Sequence, residues 1–263
     1  MQHKIIIYES PESSIGSLRP SLRKSFPEPD FCIQQANAAD IHNGVLQSPD
    51  VRIFAVPGIQ GVVSPYPAEF GTKGAREVAA FANRNHNVTL LFCAGISPFV
   101  SRTVYTPPWS APIGRMGLVT LFNGTARGPV SQYARLPDRE KHLSDIVVVP
   151  VHFRADGDSW QSANICYGNG TYIIPDNPGD PATEVLATFA DVPDHPIAMI
   201  RHKLGQGTLY MSCIHPEIFY QEIGEGKKLS MARQLTKELK EHEPGREKLW
   251  NMFVGRVKQD LKP

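Results

Sequence analysis

The sequence predicts an α/β fold built on a mostly parallel sheet, and two observations carry that expectation. Through the first third of the chain, short β-rich apolar runs alternate with stretches of helical periodicity. Such strand–helix–strand order puts parallel strands in one sheet with helices on both faces. Between Met116 and Ser212 the pattern changes to short extended pieces separated by Gly, Pro, Asn and Asp, as in YGNG and PDNPGDP. That change predicts antiparallel strands added to the sheet.

The elements follow in order. Residues 4–8, KIIIY, read as the first strand, residues 17–26 as a helix and residues 31–35 as the second strand. A helix is predicted over 39–47, a third strand over 51–56, a helix over 74–85 and a fourth strand over 88–92. After the antiparallel region, residues 207–213 read as one more core strand. The charged tail over 227–259 carries Leu229, Leu235, Leu239, Trp250, Phe253, Val254 and Val257 at helical spacings, interrupted at Pro244-Gly245, and predicts two helices. The expected organisation is one α/β domain over 1–222 and a helical extension over 223–263 packed on it.

Composition excludes several partner classes. With 27 basic and 26 acidic residues the net charge is +1, so no global field favours nucleic acid or an anionic membrane. The apolar runs, IVVVPV among them, fall far short of the ~20 residues of a membrane-spanning helix, and the IIIY run near the start is too short for a signal-peptide core. Four cysteines, Cys32, Cys93, Cys166 and Cys213, are scattered without a CxxC pair, which predicts reduced thiols and a cytoplasmic location. The spacing predicts no metal site and no cofactor.

Ligands in open parallel sheets bind beyond the carboxyl ends of the strands, so the strand ends are where chemistry is sought. The fourth strand runs VTLLFCAGIS and breaks just after Cys93 at Ala94-Gly95. A thiol there is either a small buried hydrophobe or a nucleophile presented at a strand-to-helix turn. A nucleophile needs a base, and His215 follows the strand at 207–213, with Glu217 two residues on to orient the imidazole. Glu217 is alternatively an acidic cap of a helix beginning after Pro216. Donors for an oxyanion are expected at the end of the third strand, from Gly58 and Ile59, and from the amide of Ala94.

These pieces together carry a resemblance. The order PG, CAG, HPE resembles the class I glutamine amidotransferase superfamily. With Tyr66, GTARGPV at 124–130 and YGNG at 167–170, the chain is similar, over roughly residues 4–222, to the N-terminal domain family of biotin-protein ligases. The glycine- and arginine-rich adenylate loop and the lysine-bearing strand of the ligase catalytic half are not found in this sequence, which reads as a stand-alone member. The resemblance implies a flavodoxin-like three-layer sandwich and a Cys93–His215–Glu217 triad. It also points to substrate contacts from Glu9, Tyr66, Arg127 and Asn169, with Glu9 reaching the Cys93 thiol; the alternatives are a turn carboxylate before Pro11 for Glu9, packing for Tyr66, and a carboxylate pair that holds its loop for Arg127. Two positions depart from the superfamily pattern: Leu91 and Ile59 stand where glycines are usual, at points where backbone approaches substrate or strain is tolerated.

Two functions fit this reading. One is a cysteine-dependent amidotransferase-like hydrolase of a small-molecule amide or acyl substrate. The other is a non-catalytic binding or regulatory module that takes a small molecule or a protein partner through Arg127 and the 168–170 loop.

Overall fold

A computed structural model describes residues 2–11, 13, 15–59, 64–136, 146–155, 159–221 and 230–262. Five parallel strands form the centre of the sheet in the order β2 (Phe31–Ala36), β1 (His3–Tyr8), β3 (Val51–Val56), β4 (Val88–Phe92) and β13 (Gly207–Ser212). β12 (Ile197–Leu204) pairs antiparallel with β13 and starts the extension, which continues through β10 (Tyr172–Pro175), β7 (Phe122–Gly128), β5 (Val100–Tyr105) and the edge strand β6 (Ile113–Met116). A branch leaves β12 through β11 (Thr183–Phe189) to the long hairpin of β8 (Ile146–Arg154) and β9 (Trp160–Gly168). The predicted mostly parallel sheet with antiparallel additions is thus the observed one.

Side-chain alternation explains why the centre needs two helical layers. Along β1, Ile5 and Ile7 join one apolar cluster while Ile6 and Tyr8 join the other, and all four are fully buried. Strands buried on both faces read as continuous apolar runs, as KIIIY does. The first cluster is closed by Leu18, Leu22 and Phe26 from and just after α1 (Ile15–Ser25), and by Leu249, Phe253 and Val257 of α4 (Ser230–Asp260). The second is closed by Ile41 of α2 (Ala38–His42) and by Phe70, Ala75, Val78 and Phe81 of α3 (Tyr66–Ala82). The result is a three-layer α/β/α sandwich.

Three helices differ from expectation. α2 stops at His42 because Gly44 takes φ +83°, and residues 45–47 form only a 3-10 turn. α3 begins at Tyr66, well before residue 74, with a non-helical Gly71 at φ +53° that hides its first turns from a periodicity count. The tail is one continuous helix through Pro244, not two. Gly245 lies so close to β9 that a Cβ on it would sit 3.3 Å from the Ala163 Cβ, so packing on the sheet holds the helix where proline alone would break it. Leu229 lies outside the described residues. Among the described residues no helix is long and apolar enough to cross a membrane.

Candidate functional site

The sheet order brings three strand ends side by side: β3 delivers Pro57-Gly58-Ile59, β4 delivers Cys93, and β13 delivers His215 after a two-residue turn. Cys93 has φ +49°, a left-handed backbone that L residues rarely adopt, at the point where β4 ends and a 3-10 turn begins. Strain of this kind persists only where the surroundings over-determine it, and it gathers at functional sites. The tight approach lies two residues later. A Cβ on Gly95 would stand 2.7 Å from the Val56 carbonyl oxygen, so only glycine lets the turn pass β3. Leu91 causes no crowding, because β4 is still extended there, paired with Val56 and Met211, and the side chain drops into the α3-side cluster.

His215 and Glu217 form a buried pair, the His215 Nδ1–H donating to Glu217 Oε1 at 2.8 Å. Burial by itself favours the neutral imidazole. The Glu217 charge, the neighbouring Cys93 side chain and the hydrogen bond to Glu217 outweigh it and lift the His215 pKa to about 10. The second Glu217 oxygen, also buried, makes no hydrogen bond among the described residues. Helical residues begin at Tyr220, three residues beyond Glu217, so the capping alternative stands beside the pairing with His215, which takes Glu217 Oε1. The backbone of the turn is fixed from three sides. His215 N–H donates to the Cys166 carbonyl at 2.9 Å, the Ser21 hydroxyl of α1 to the Glu217 carbonyl at 2.6 Å, and Arg246 of α4 to the Pro216 carbonyl at 2.5 Å. Arg246 is 1% exposed, held by Glu243 and stacked over Phe219 at 4.1 Å.

In front of the thiol lies a cleft open to solvent. Cys93, Ala94 and Ile59 line it, with Asn169 and Gly170 of the loop between β9 and β10. The remaining walls were not read from the sequence: Ser64, Ser97 and Thr171, and Thr103, Tyr105, Ile113 and Arg115 on the β5–β6 hairpin. Gly58 sits just behind, its carbonyl accepting from the Tyr66 hydroxyl at 3.1 Å.

The expected substrate contacts are redistributed. Tyr66 is fully buried and braces the Gly58 loop instead of lining the cleft. Arg127 is exposed, because β7 turns it away from the face on which Ala126 meets the cleft. Glu9 is exposed beyond β1 and does not line the cleft; the carboxylate tied to that strand end is Glu69, which accepts from Tyr8 and Ser10 at 2.8 Å each. Asn169 is at the cleft, but its side chain is spent on the Arg135 backbone, accepting at 2.9 Å and donating at 2.7 Å. Burial pushes the Cys213 thiol up to about 12 and raises Cys166 as well. Among the described residues no three His, Cys, Asp or Glu side chains cluster as metal ligands.

With this geometry in place, comparison with known proteins decides the family. Residues 3–262 match the family described as biotin-protein ligase, N terminal. The chain belongs to that family. Among solved structures it is similar to a glutamine amidotransferase from Thermotoga maritima, at 10% identity and a TM-score of 0.57, with 100% of each chain covered. It is also similar to the protein SMU.1228c, at 12% identity and a TM-score of 0.52, covering 98% of this chain and 100% of that one. Identities this low establish the fold, which is glutamine amidotransferase-like. No curated protein matches the chain in sequence. The match to the biotin-protein ligase N-terminal family extends through α4, so the helix that holds Pro216 is part of the family unit.

Proposed function

We propose that this protein is a cysteine-dependent hydrolase or amidotransferase acting on an amide or related acyl compound in the cytoplasm, with Cys93 as nucleophile, His215 as proton carrier and Glu217 as orienter. The observation that carries the reading is the strained Cys93, at φ +49°, at the end of β4, beside the strand that delivers a buried His215 whose Nδ1 Glu217 holds at 2.8 Å.

The thiolate is the attacking species, with His215 carrying the proton that it gives up. The sulfur adds to the substrate carbonyl, and the oxyanion is met by amides at Ala94 and at the Gly58-Ile59 end of β3. Collapse breaks the C–N bond, and the His215 imidazolium gives its proton to the leaving amine. The neutral imidazole then takes a proton from water, or from an acceptor amine, as that group attacks the thioester and Cys93 is released.

Activated acyl donors test this without knowledge of the natural substrate. On mixing with p-nitrophenyl acetate, the wild type is expected to release about one equivalent of nitrophenolate in a burst and to carry the acetyl group on Cys93. Cys93→Ala should abolish the burst, and His215→Asn should slow it. Absence of any Cys93 adduct would overturn the catalytic reading.

A non-catalytic binding module is the second reading. Ile59 favours it by presenting a branched side chain to the cleft where the superfamily pattern has glycine.

A further inference from the structure

The cleft holds a charge that the triad does not use. On the β5–β6 hairpin, Thr103 pairs with Arg115 and Tyr105 with Ile113, so all four side chains share the face that looks into the cleft. Gly114 and Met116 point the other way, and Met116 is 74% exposed. Alternation along the edge strand therefore delivers a guanidinium to the cleft by register.

Arg115 is partly buried there, and its one hydrogen bond within the described residues runs to the Ser64 carbonyl, a neutral acceptor, at 3.3 Å. A guanidinium has five N–H donors, so most of its capacity stays open. Arg201 is neutralised by Asp260 and Glu184, Arg246 by Glu243 and Arg256 by Glu184, whereas Arg52 and Arg84 spend their donors on two backbone carbonyls each, away from the cleft. Among the described residues Arg115 has no carboxylate partner and no Asp or Glu lines the cleft. The intervening residues 60–63, Gln-Gly-Val-Val, carry no charge either.

We infer that Arg115 is the specificity-determining residue of the cleft, and that the compound attacked by Cys93 carries a single carboxylate that pairs with it. The inference rests on the proposed Cys93 chemistry and adds the substrate class: an acyl or amide compound with an anionic end. One unpaired guanidinium matches one carboxylate in charge and in its fork of donors. A phosphate dianion would bring a second charge with no second cation among the lining residues to meet it.

A matched pair of alkylating agents tests this. Iodoacetate and iodoacetamide react alike, the sulfur displacing iodide as a new S–C bond forms, and they differ in carrying a carboxylate or a neutral amide. The measured quantity is the ratio of iodoacetate to iodoacetamide rates at Cys93, resolved by peptide mass spectrometry, with the Cys93→Ser chain as the blank. In Arg115→Gln the ratio is expected to fall about tenfold, the equivalent of one lost ion-pair interaction of about 1.4 kcal/mol. Arg115→Lys, which keeps the charge but not the fork, should fall between. Any pull from His215 is common to all three chains and cancels. An unchanged ratio in Arg115→Gln would overturn the inference. If Cys93 reacted slowly with both reagents while the ratio still fell in Arg115→Gln, the triad would be overturned and the carboxylate site upheld.

Discussion

Cys93 is the residue at which sequence and geometry meet most sharply. Its left-handed backbone costs an L residue roughly 1–2 kcal/mol, a cost that glycine escapes. Cys93→Gly and Cys93→Ala both remove the thiol and differ in that strain. The glycine variant is therefore expected to be more stable in urea unfolding by about 1 kcal/mol, and an alanine variant of equal or greater stability would refute the strain. The position of Cys93 was legible from VTLLFCAGIS because an apolar run stops at a thiol and two small residues. The accommodation of Leu91 was not, since whether a Cβ fits depends on where β3 passes. The contact that demands glycine, 2.7 Å from the Val56 carbonyl, falls at Gly95. The same limit explains Arg127 and Tyr66, whose roles turn on strand register and helix start. Arg115 went unread because a charged residue on a short strand looks like any solvated one.

At the scale of elements, the turn after β13 is built by its neighbours as much as by its own sequence. α1 and α4 each donate to its backbone, through Ser21 and Arg246. The amphipathic tail was readable as helix from the spacing of its apolar residues. Its clasp was not, because an arginine in a charged run reads as surface while Arg246 is 1% exposed. The His215–Glu217 pair gives this element a pH signature. The folded-state pKa of His215, about 10, lies above the ordinary 6.5, so the folded chain holds a proton that the unfolded chain gives up sooner. The stabilisation is complete below about pH 6.5 and is lost as pH rises toward 10. Glu217→Gln removes the charge that raises the pKa. The stability margin of wild type over Glu217→Gln in urea is expected to be largest near pH 6.5 and to shrink steadily toward pH 9. A margin independent of pH, or growing with it, would show that His215 is not held protonated.

For the whole molecule, the five-strand parallel core was legible because strands buried on both faces leave continuous apolar runs, and helices between them leave a different period. The extension, antiparallel except where β5 and β7 pair in parallel, was legible only as a region. Its strand order, and the folding of β5 and β6 back to wall the cleft, depend on long-range pairings that no local window contains. Half of the cleft therefore lay beyond sequence reasoning, while the chemical half, at the ends of β3, β4 and β13, followed from parallel topology alone. The architecture leaves Cys93 half-buried at a cleft, whereas Cys166 and Cys213 are fully buried with raised pKa values. The most direct test of a nucleophilic Cys93 is its site-resolved alkylation by iodoacetamide at pH 6.5, in the folded chain and in the same chain unfolded in urea. An ordinary thiol, with a pKa near ~8.5, is almost wholly protonated at that pH, so the folded Cys93 is expected to react at least about tenfold faster than the unfolded one, and His215→Asn to remove the advantage. A folded Cys93 that reacts no faster than the unfolded thiol would contradict the account.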